Sequence, residues 1–236
     1  MRRALSFLTS LGGASLPNGR AVTWFPLIGL LIGSALGGGW WLAGQVWPGL
    51  VAAAMVVGAD LAVTGLLHFD GLVDAADGLL PHLSMQRRLE VMAEPGAGAF
   101  GVGVGGAVLV ARFAALATLR PSVLLLAGLW CASRTWMALA LWTVPYARDT
   151  GGLASCFLHA PSRAVPVGVL GLGASLALLV AWRLWPGLVC LAAGSLAALG
   201  VVLLARRRVG GFTGDVLGAA GLVGETVGLL AAAARW

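Results

Sequence analysis

The stretch AVTWFPLIGLLIGSALGGGWWLAGQVWPGLVAAAMVVGA, from Ala21 to Ala59, contains no charged residue. A membrane-spanning helix needs about 20 mostly apolar residues, so this stretch is long enough for nearly two crossings. In its second half lies Trp47-Pro48-Gly49, and a Pro-Gly pair is typical of a turn. The stretch therefore predicts two transmembrane helices, over about 22–44 and 49–67, joined at this turn.

The rest of the chain continues this pattern and decides the expected fold class. The chain is 59% hydrophobic and 10% charged, and its mean hydropathy is +0.94, whereas soluble domains are about 25% charged. These values exclude a soluble globule and a disordered chain. We predict one domain over 1–236, an all-α polytopic membrane bundle of about seven transmembrane helices. Besides the first two, the predicted spans cover about 99–118, 121–144, 165–181, 185–204 and 216–234.

The basic residues predict how the chain lies in the membrane. All 15 are arginine, and the formal net charge is +6. With a cytoplasmic N-terminus, ten fall in cytoplasmic segments, three in outer segments and two within spans, which satisfies the positive-inside rule. We therefore predict a multi-pass protein of a bacterial-type inner membrane, with an interfacial segment over 1–20. The arginines are interpreted as anchors for membrane lipids and not as a nucleic-acid-binding surface. The oligomeric state is left open.

The acidic residues indicate where chemistry takes place. Seven of the nine fall in predicted cytoplasmic segments, so we expect the active site on the cytoplasmic face. The segments expected to form it are 68–98, 145–164 and 206–216. The other two acids, Asp60 and Glu225, lie within predicted spans, as do Arg112 and Arg134. A charge inside a membrane needs a partner, so ion pairs among these four are predicted, with substrate binding as the alternative for Arg134.

The most informative motif is His68-Phe69-Asp70-Gly71-Leu72-Val73-Asp74-Ala75-Ala76-Asp77-Gly78. On a helix, the spacings i, i+4 and i+7 put Asp70, Asp74 and Asp77 on one face. Three like charges there repel each other, and a divalent cation removes that repulsion. Mg²⁺ takes a few carboxylates together with water and phosphate oxygens, so the three aspartates are predicted to hold Mg²⁺ against a diphosphate. The alternative is a solvated acidic helix end. His68 is left open between a base, a phosphate donor and a structural histidine.

Two basic segments carry candidate substrate-binding groups. In the segment Gln86–Met92, Arg87 and Arg88 either neutralise phosphate or bind lipid headgroups from an interfacial helix. Arg148 closes the segment Val144–Arg148 and is a further candidate for binding phosphate.

The glycine-rich segment Gly210–Gly218 precedes an apolar helix, so its backbone N–H groups are suited to hold a phosphate. Thr213 is a candidate substrate-binding residue within it. Asp215 is a candidate for binding substrate or a metal, and the alternative is that it caps the helix.

Taken together, these segments resemble the cobalamin synthase family, the adenosylcobinamide-GDP ribazoletransferases. The resemblance covers nearly the whole chain in the family's order, and the His-x-Asp-Gly-x-x-Asp-x-x-Asp-Gly stretch is its most specific element. The other matching stretches are Ala4–Thr9, Trp24–Gly29, Thr64–Gly65, Leu67, Arg88–Met92, Gly98–Gly101, Arg134, Pro145–Arg148, Gly210–Gly211, Thr213–Asp215 and Leu217–Ala219.

The resemblance implies a membrane enzyme for the last joining step of coenzyme B12 assembly. α-Ribazole, or its 5′-phosphate, attacks the diphosphate of adenosylcobinamide-GDP. GMP leaves, adenosylcobalamin or its 5′-phosphate forms, and the reaction depends on Mg²⁺. The expected metal ligands are Asp70, Asp74, Asp77 and Asp215, and the expected phosphate-binding residues are Arg87, Arg88 and Arg148. The expected bases are His68 and Glu90, and the other expected substrate-binding residues are Arg134, Thr213 and Asp215.

This chain departs from the family's pattern in two places. After Met92 the family usually carries a Lys-Asp-Ser-Arg-like run, where this chain has Ala93-Glu94-Pro95-Gly96. Near position 222 the family usually carries an acidic residue, where this chain has Leu222, although Glu225 follows. The first difference removes two basic groups from a loop expected to contact phosphate.

Two other functions compete with this interpretation. A CDP-alcohol-type membrane phosphotransferase also uses Asp-Gly followed by spaced aspartates, but its pattern has Ala-Arg where this chain has Asp74-Ala75. A divalent-cation transporter is less favoured, because few charged residues lie within the predicted spans.

Overall fold

A computed structural model describes residues 1–11, 18–148, 151–158 and 163–236. Within these ranges the chain forms ten α-helices and no β-strand. The helices are α1 (Arg2–Leu8), α2 (Phe25–Val46), α3 (Gly49–Val63), α4 (Leu67–Leu79), α5 (Met85–Val91), α6 (Ala99–Thr118), α7 (Val123–Thr143), α8 (Ala164–Trp182), α9 (Leu184–Val209) and α10 (Gly214–Ala232). Short 3-10 helices cover Gly19–Trp24 and Leu153–Phe157. Parts of the predicted segments 1–20 and 145–164 lie outside the described residues.

The predicted bundle of membrane helices is confirmed, with one correction to its second span. Among the described residues, six helices are long and apolar enough to cross a membrane, and a bent pair, α3 and α4, makes up to seven. The helix of the second predicted span, over about 49–67, ends earlier, at Val63, and α4 leaves it at 87°. The turn occurs because Gly65 and Leu66 both adopt positive φ angles of 58° and 59°, which a right-handed helix cannot contain.

Helices α7 and α10 form the centre of the bundle. The apolar window of α7 is 78% buried and that of α10 is 72% buried, against 22% for α9 and 28% for α6 and α8. The outer helices therefore present most of their apolar surface to lipid, as a membrane bundle without a soluble layer requires.

Glycines decide how closely the central helices approach each other. Gly29 and Gly33 of α2 lie against the backbone of α7, where an added Cβ would come within 2.3 Å of the carbonyl oxygens of Trp130 and Leu126. Such small-xxx-small spacing allows close backbone contact between membrane helices.

A second close crossing, between α4 and α10, builds the candidate site. A Cβ on Gly71 would lie 3.0 Å from the Cα of Asp215, and one on Gly218 would lie 3.1 Å from the Cα of His68. The two glycines thus bring the motif of α4 directly against the first turns of α10.

A network of four buried charges connects α3, α6, α7 and α10. Arg112 contacts Asp60 at 2.6 Å and Glu225 at 3.1 Å, and Arg134 forms a further short ion pair with Glu225. Trp130 donates its indole N–H to Asp60 at 3.0 Å. All four charged residues are buried, and two positive charges balance two negative ones. The prediction that the intramembrane charges pair with each other is confirmed.

Candidate active site

A cavity of about 240 Å³ opens where α4 and α10 cross. Its polar lining comes from residues of three segments that are far apart in the sequence. These polar residues are His68, Asp70, Tyr146, Arg148 and Asp215. Its apolar lining includes Phe7, Leu67, Met137 and Leu217. One cavity therefore gathers parts of the three sequence segments that were expected to form the active site.

Backbone pairing holds the segment before Arg148 beside the glycine-rich segment. The amide of Phe212 donates to the carbonyl oxygen of Pro145 at 2.9 Å, and the amide of Ala147 donates to that of Phe212 at 2.9 Å. Gly211 is required there, because a Cβ would come within 2.1 Å of the Pro145 oxygen. This pairing fixes the position of Arg148 next to the start of α10.

Arg148 and Asp215 form a half-buried ion pair on one wall of the cavity. A guanidinium nitrogen of Arg148 lies 3.1 Å from the carboxylate of Asp215 and 3.4 Å from the carbonyl oxygen of Met92. The hydroxyl of Thr213 donates to the same carboxylate at 3.1 Å and also accepts from the amide of Val216 at 3.3 Å. Thr213 therefore caps α10 and orients Asp215, while Asp215 faces the cavity.

The carboxylates of Asp70 and Asp74 have no such partner. Both lie on α4, outside the six spanning helices, and neither accepts a hydrogen bond from any other described residue. Asp70 is exposed at the cavity, and Asp74 is half-buried. Burial, together with the carboxylates of Asp70, Asp215 and Asp77, raises the pKa of Asp74 to about 7. The site thus concentrates negative charge that Arg148 only partly offsets.

Asp77 lies on the same helix but is directed to a different place. Its carboxylate accepts the backbone N–H groups of Gly98 at 2.7 Å and Gly101 at 2.9 Å. These are orphan donors at the start of α6, so Asp77 caps that helix. The spacing predicted that the three aspartates share one face of a helix. It could not predict this cap, which depends on the position of the start of α6.

The Asp77→Ala variant should unfold at a lower temperature, because it leaves two amides at the start of α6 without an acceptor. We expect a loss of about 1–2 kcal/mol in the free energy of unfolding, the usual cost of removing a helix cap. Thermal unfolding in detergent measures it. Asp70→Ala is the matched control, since Asp70 is exposed on the same helix, and it should unfold like the wild type. Equal melting temperatures for Asp77→Ala and the wild type would contradict this role.

The three predicted site residues of α5 all lie outside the cavity lining. Arg88 is buried and donates to the carbonyl oxygens of Gly78 at 2.9 Å and Leu79 at 2.7 Å, so it caps the end of α4. Arg87 is exposed and pairs with Glu90 at 3.2 Å and with Glu94 at 2.7 Å. Glu94, the carboxylate of the altered 93–96 loop, therefore forms an ion pair with Arg87 at the surface.

Arg134 of α7 lies beside His68 of α4, with a guanidinium nitrogen 3.5 Å from Nδ1 of the histidine. Arg134 is 1% exposed, pairs with Glu225 and donates to the hydroxyl of Ser133 at 2.7 Å. It does not line the cavity, whereas His68 does. The predicted ion pairing of Arg134 is thus observed. Arg134 contacts the cavity lining through His68. Leu222, the second departure from the family's pattern, is a buried core residue of α10.

Sequence reasoning missed the contribution of the N-terminal segment to the site. Phe7 of α1 lines the cavity and packs edge-on against Phe157, with ring centroids 4.8 Å apart. The backbone amide of Ser10 also donates to the carbonyl oxygen of Val63 at 2.8 Å, which ties α1 to the end of α3. The available signals were the apolar character of the segment, which indicated an interfacial position, and the match of Ala4–Thr9 to the family's pattern.

Comparison with known proteins decides the family. The family model described as cobalamin-5-phosphate synthase matches residues 1–233. The chain belongs to this family. The resemblance drawn from the sequence motifs is thereby confirmed over nearly the whole chain.

Several similar proteins share one name, adenosylcobinamide-GDP ribazoletransferase. The relative from Desulforamulus reducens is 34% identical, over 96% of this chain and 92% of its own length. Those from Pseudomonas paraeruginosa and Syntrophobacter fumaroxidans are 39% and 38% identical, over 92% and 91% of this chain and 90% and 86% of their own lengths. No solved structure matches the chain.

Proposed function

We propose that this chain joins α-ribazole, or its 5′-phosphate, to adenosylcobinamide-GDP, releasing GMP and forming adenosylcobalamin or its 5′-phosphate. The observation that carries this proposal is the gathering of Asp70, Arg148 and Asp215 around one cavity in a member of the cobalamin-5-phosphate synthase family. A hydroxyl oxygen of ribazole forms a new bond to the phosphorus attached to cobinamide. The bond from that phosphorus to GMP breaks, and the hydroxyl proton is released.

The residues present fit a Mg²⁺ ion, which this family's chemistry calls for. Asp70 and Asp74 form no ion pair with any described residue, and Asp215 lines the same cavity as Asp70 and lies close enough to Asp74 to raise its pKa. In the described part of the chain, no three His, Cys, Asp or Glu side chains are grouped closely enough to hold a metal. Water and diphosphate oxygens would therefore complete the shell, as Mg²⁺ prefers. Asp77 is the least available predicted ligand, because its carboxylate caps α6.

When bound, Mg²⁺ neutralises the charge that develops on the phosphoryl and leaving-group oxygens. The chain's own groups act around it. Arg148 donates to a phosphoryl oxygen, which spreads the negative charge of the transition state. Asp215 accepts a hydrogen bond from the attacking hydroxyl and orients it, while Thr213 holds the Asp215 carboxylate in place.

The size of the cavity limits which part of the substrate enters it. Sites for drug-sized ligands measure about 300–1,000 Å³, whereas this cavity measures about 240 Å³. A corrin ring is larger than such ligands, so the cavity receives the diphosphate and an adjoining sugar while the corrinoid stays outside. Phe7, Met137 and Leu217 line the cavity, and these apolar side chains exclude water that would otherwise hydrolyse the diphosphate.

The site faces the cytoplasm of an inner membrane in this proposal. The arginine distribution favours a cytoplasmic N-terminus, and α1 packs beside the cavity through Phe7. Membrane lipids would contact the outer helices α6, α8 and α9, whose apolar windows are only 22–28% buried.

The direct test incubates the detergent-solubilised protein with adenosylcobinamide-GDP, Mg²⁺ and α-ribazole, and in a parallel reaction with α-ribazole 5′-phosphate as the acceptor. We expect release of GMP with formation of a new corrinoid, and loss of both when EDTA removes Mg²⁺. A parallel reaction with a CDP-alcohol should release no CMP. Release of CMP, or no GMP from folded protein with either acceptor, would overturn the proposed function. GMP release that EDTA leaves unchanged would overturn the metal requirement alone.

A further inference from the structure

The two ring nitrogens of His68 have different surroundings. A guanidinium nitrogen of Arg134 lies 3.5 Å from Nδ1. Arginine has five N–H donors and no acceptor, so a hydrogen bond between the two requires Nδ1 to be the acceptor. An accepting Nδ1 carries no proton, and the single proton of the neutral imidazole is then on Nε2.

This tautomer is held by the buried charge network. Arg134 is fixed by its ion pair with Glu225 and by its bond to Ser133. Glu225 is fixed in turn by Arg112, at 3.1 Å. A hydrogen bond to one ring nitrogen determines which nitrogen of a neutral histidine carries the proton.

The Nε2 atom of His68 is left without a partner. His68 is only 2% exposed. Its Nε2 atom is buried and forms no hydrogen bond with any described residue. Buried polar atoms are nearly always hydrogen-bonded, so such an orphan calls for an acceptor from outside the described residues. His68 also lines the cavity with Asp70, Arg148 and Asp215, which is where the proposed function places phosphate oxygens.

We infer that His68 acts as a neutral hydrogen-bond donor, through Nε2, to a phosphoryl oxygen of the bound substrate, and not as the base. The identity of this acceptor rests on the proposed function. The role of Arg134 is positioning, because it acts on the substrate only through His68. A nitrogen that already carries a proton cannot take one from the ribazole hydroxyl, so the base must be another group.

The tautomer can be measured without any activity. In ¹⁵N NMR of protein labelled with ¹⁵N-histidine, an unprotonated ring nitrogen resonates well downfield of a protonated one. The chain has three histidines, and the His68 signals are those absent from the His68→Gln variant. We expect Nδ1 of His68 to be unprotonated and Nε2 to be protonated at neutral pH. The opposite tautomer, or a doubly protonated ring, would overturn the inference.

Two substitutions then separate a donor from a base. Glutamine presents an amide N–H near the position of Nε2 but takes up no proton at neutral pH, whereas leucine fills the space with neither function. His68→Gln should keep the rate of GMP release within about tenfold of the wild type, and His68→Leu should lower it about 100-fold, as expected for loss of one transition-state donor. Melting temperatures of both variants report on folding.

An equal loss of rate in His68→Gln and His68→Leu, with both folded, would overturn the donor role. A rate close to the wild type in His68→Leu would overturn it as well. If the wild-type protein itself released no GMP, the proposed function would fail, while the NMR result would still decide the tautomer of His68.

Discussion

Replacing Asp74 by asparagine should lower the rate of GMP release by at least about 100-fold while leaving the protein folded. The expected loss follows from the proposed use of its carboxylate as a metal ligand, where a neutral amide is a much weaker donor. Asp74 accepts no hydrogen bond from other described residues, and burial, together with repulsion from neighbouring carboxylates, raises its pKa. Removing its charge should therefore leave the melting temperature equal to that of the wild type or higher, as is common where a site stores unfavourable charge.

The matched control for this variant is Glu94→Gln. Glu94 is also acidic, but it is exposed, pairs with Arg87 and does not line the cavity. Its activity should equal that of the wild type. A steady-state assay of GMP release, with melting temperatures in the same detergent, checks both variants. Substantial residual activity in Asp74→Asn would exclude Asp74 from the metal site.

Replacing Glu225 by leucine should produce the largest loss of stability. Glu225 contacts both Arg112 and Arg134, so its removal leaves two guanidinium groups and one carboxylate in the core. Breaking a buried pair in this way typically costs about 3–5 kcal/mol, because a buried charge is left uncompensated. Unfolding in detergent by heat or by a denaturing surfactant measures the loss.

A second substitution tests whether the cause is the unpaired charge. In the double variant Glu225→Leu with Arg134→Met, the remaining pair of Arg112 and Asp60, at 2.6 Å, is again neutral. We expect the double variant to be more stable than Glu225→Leu alone. If the double variant were as unstable as the single one, the loss would come from packing, and the charge network would not stabilise the fold.

The sequence predicted the parts of this molecule that depend on composition and local spacing. The apolar stretches predicted the spans, and the spacing of Asp70 and Asp74 predicted their shared face on a helix. The ion pairs of Asp60 and Glu225 followed from the cost of isolated charge in a membrane. Which arginine meets which carboxylate depends on helix rotation, and that is determined by backbone contacts at glycines that no local pattern shows.

The errors and omissions arise at places where distant segments meet. The sequence predicted that Arg88 binds phosphate. Arg88 instead caps α4, because α5 folds back on the end of that helix. Asp77 caps α6 for a similar reason. The bend after Val63 rests on two consecutive positive φ angles, one of them at Leu66, a residue type that gives no signal for such a conformation.

The central claim is that the diphosphate of adenosylcobinamide-GDP reacts in the cavity between α4 and α10. The most direct measurement is an experimental structure of the protein bound to adenosylcobinamide-GDP and Mg²⁺. We predict density for the diphosphate between Asp70 and Arg148, with the metal on Asp70 and Asp74 and the corrinoid outside the cavity. A diphosphate bound elsewhere, such as at the arginines 206–208 that end α9, with the cavity closed to it, would contradict the account.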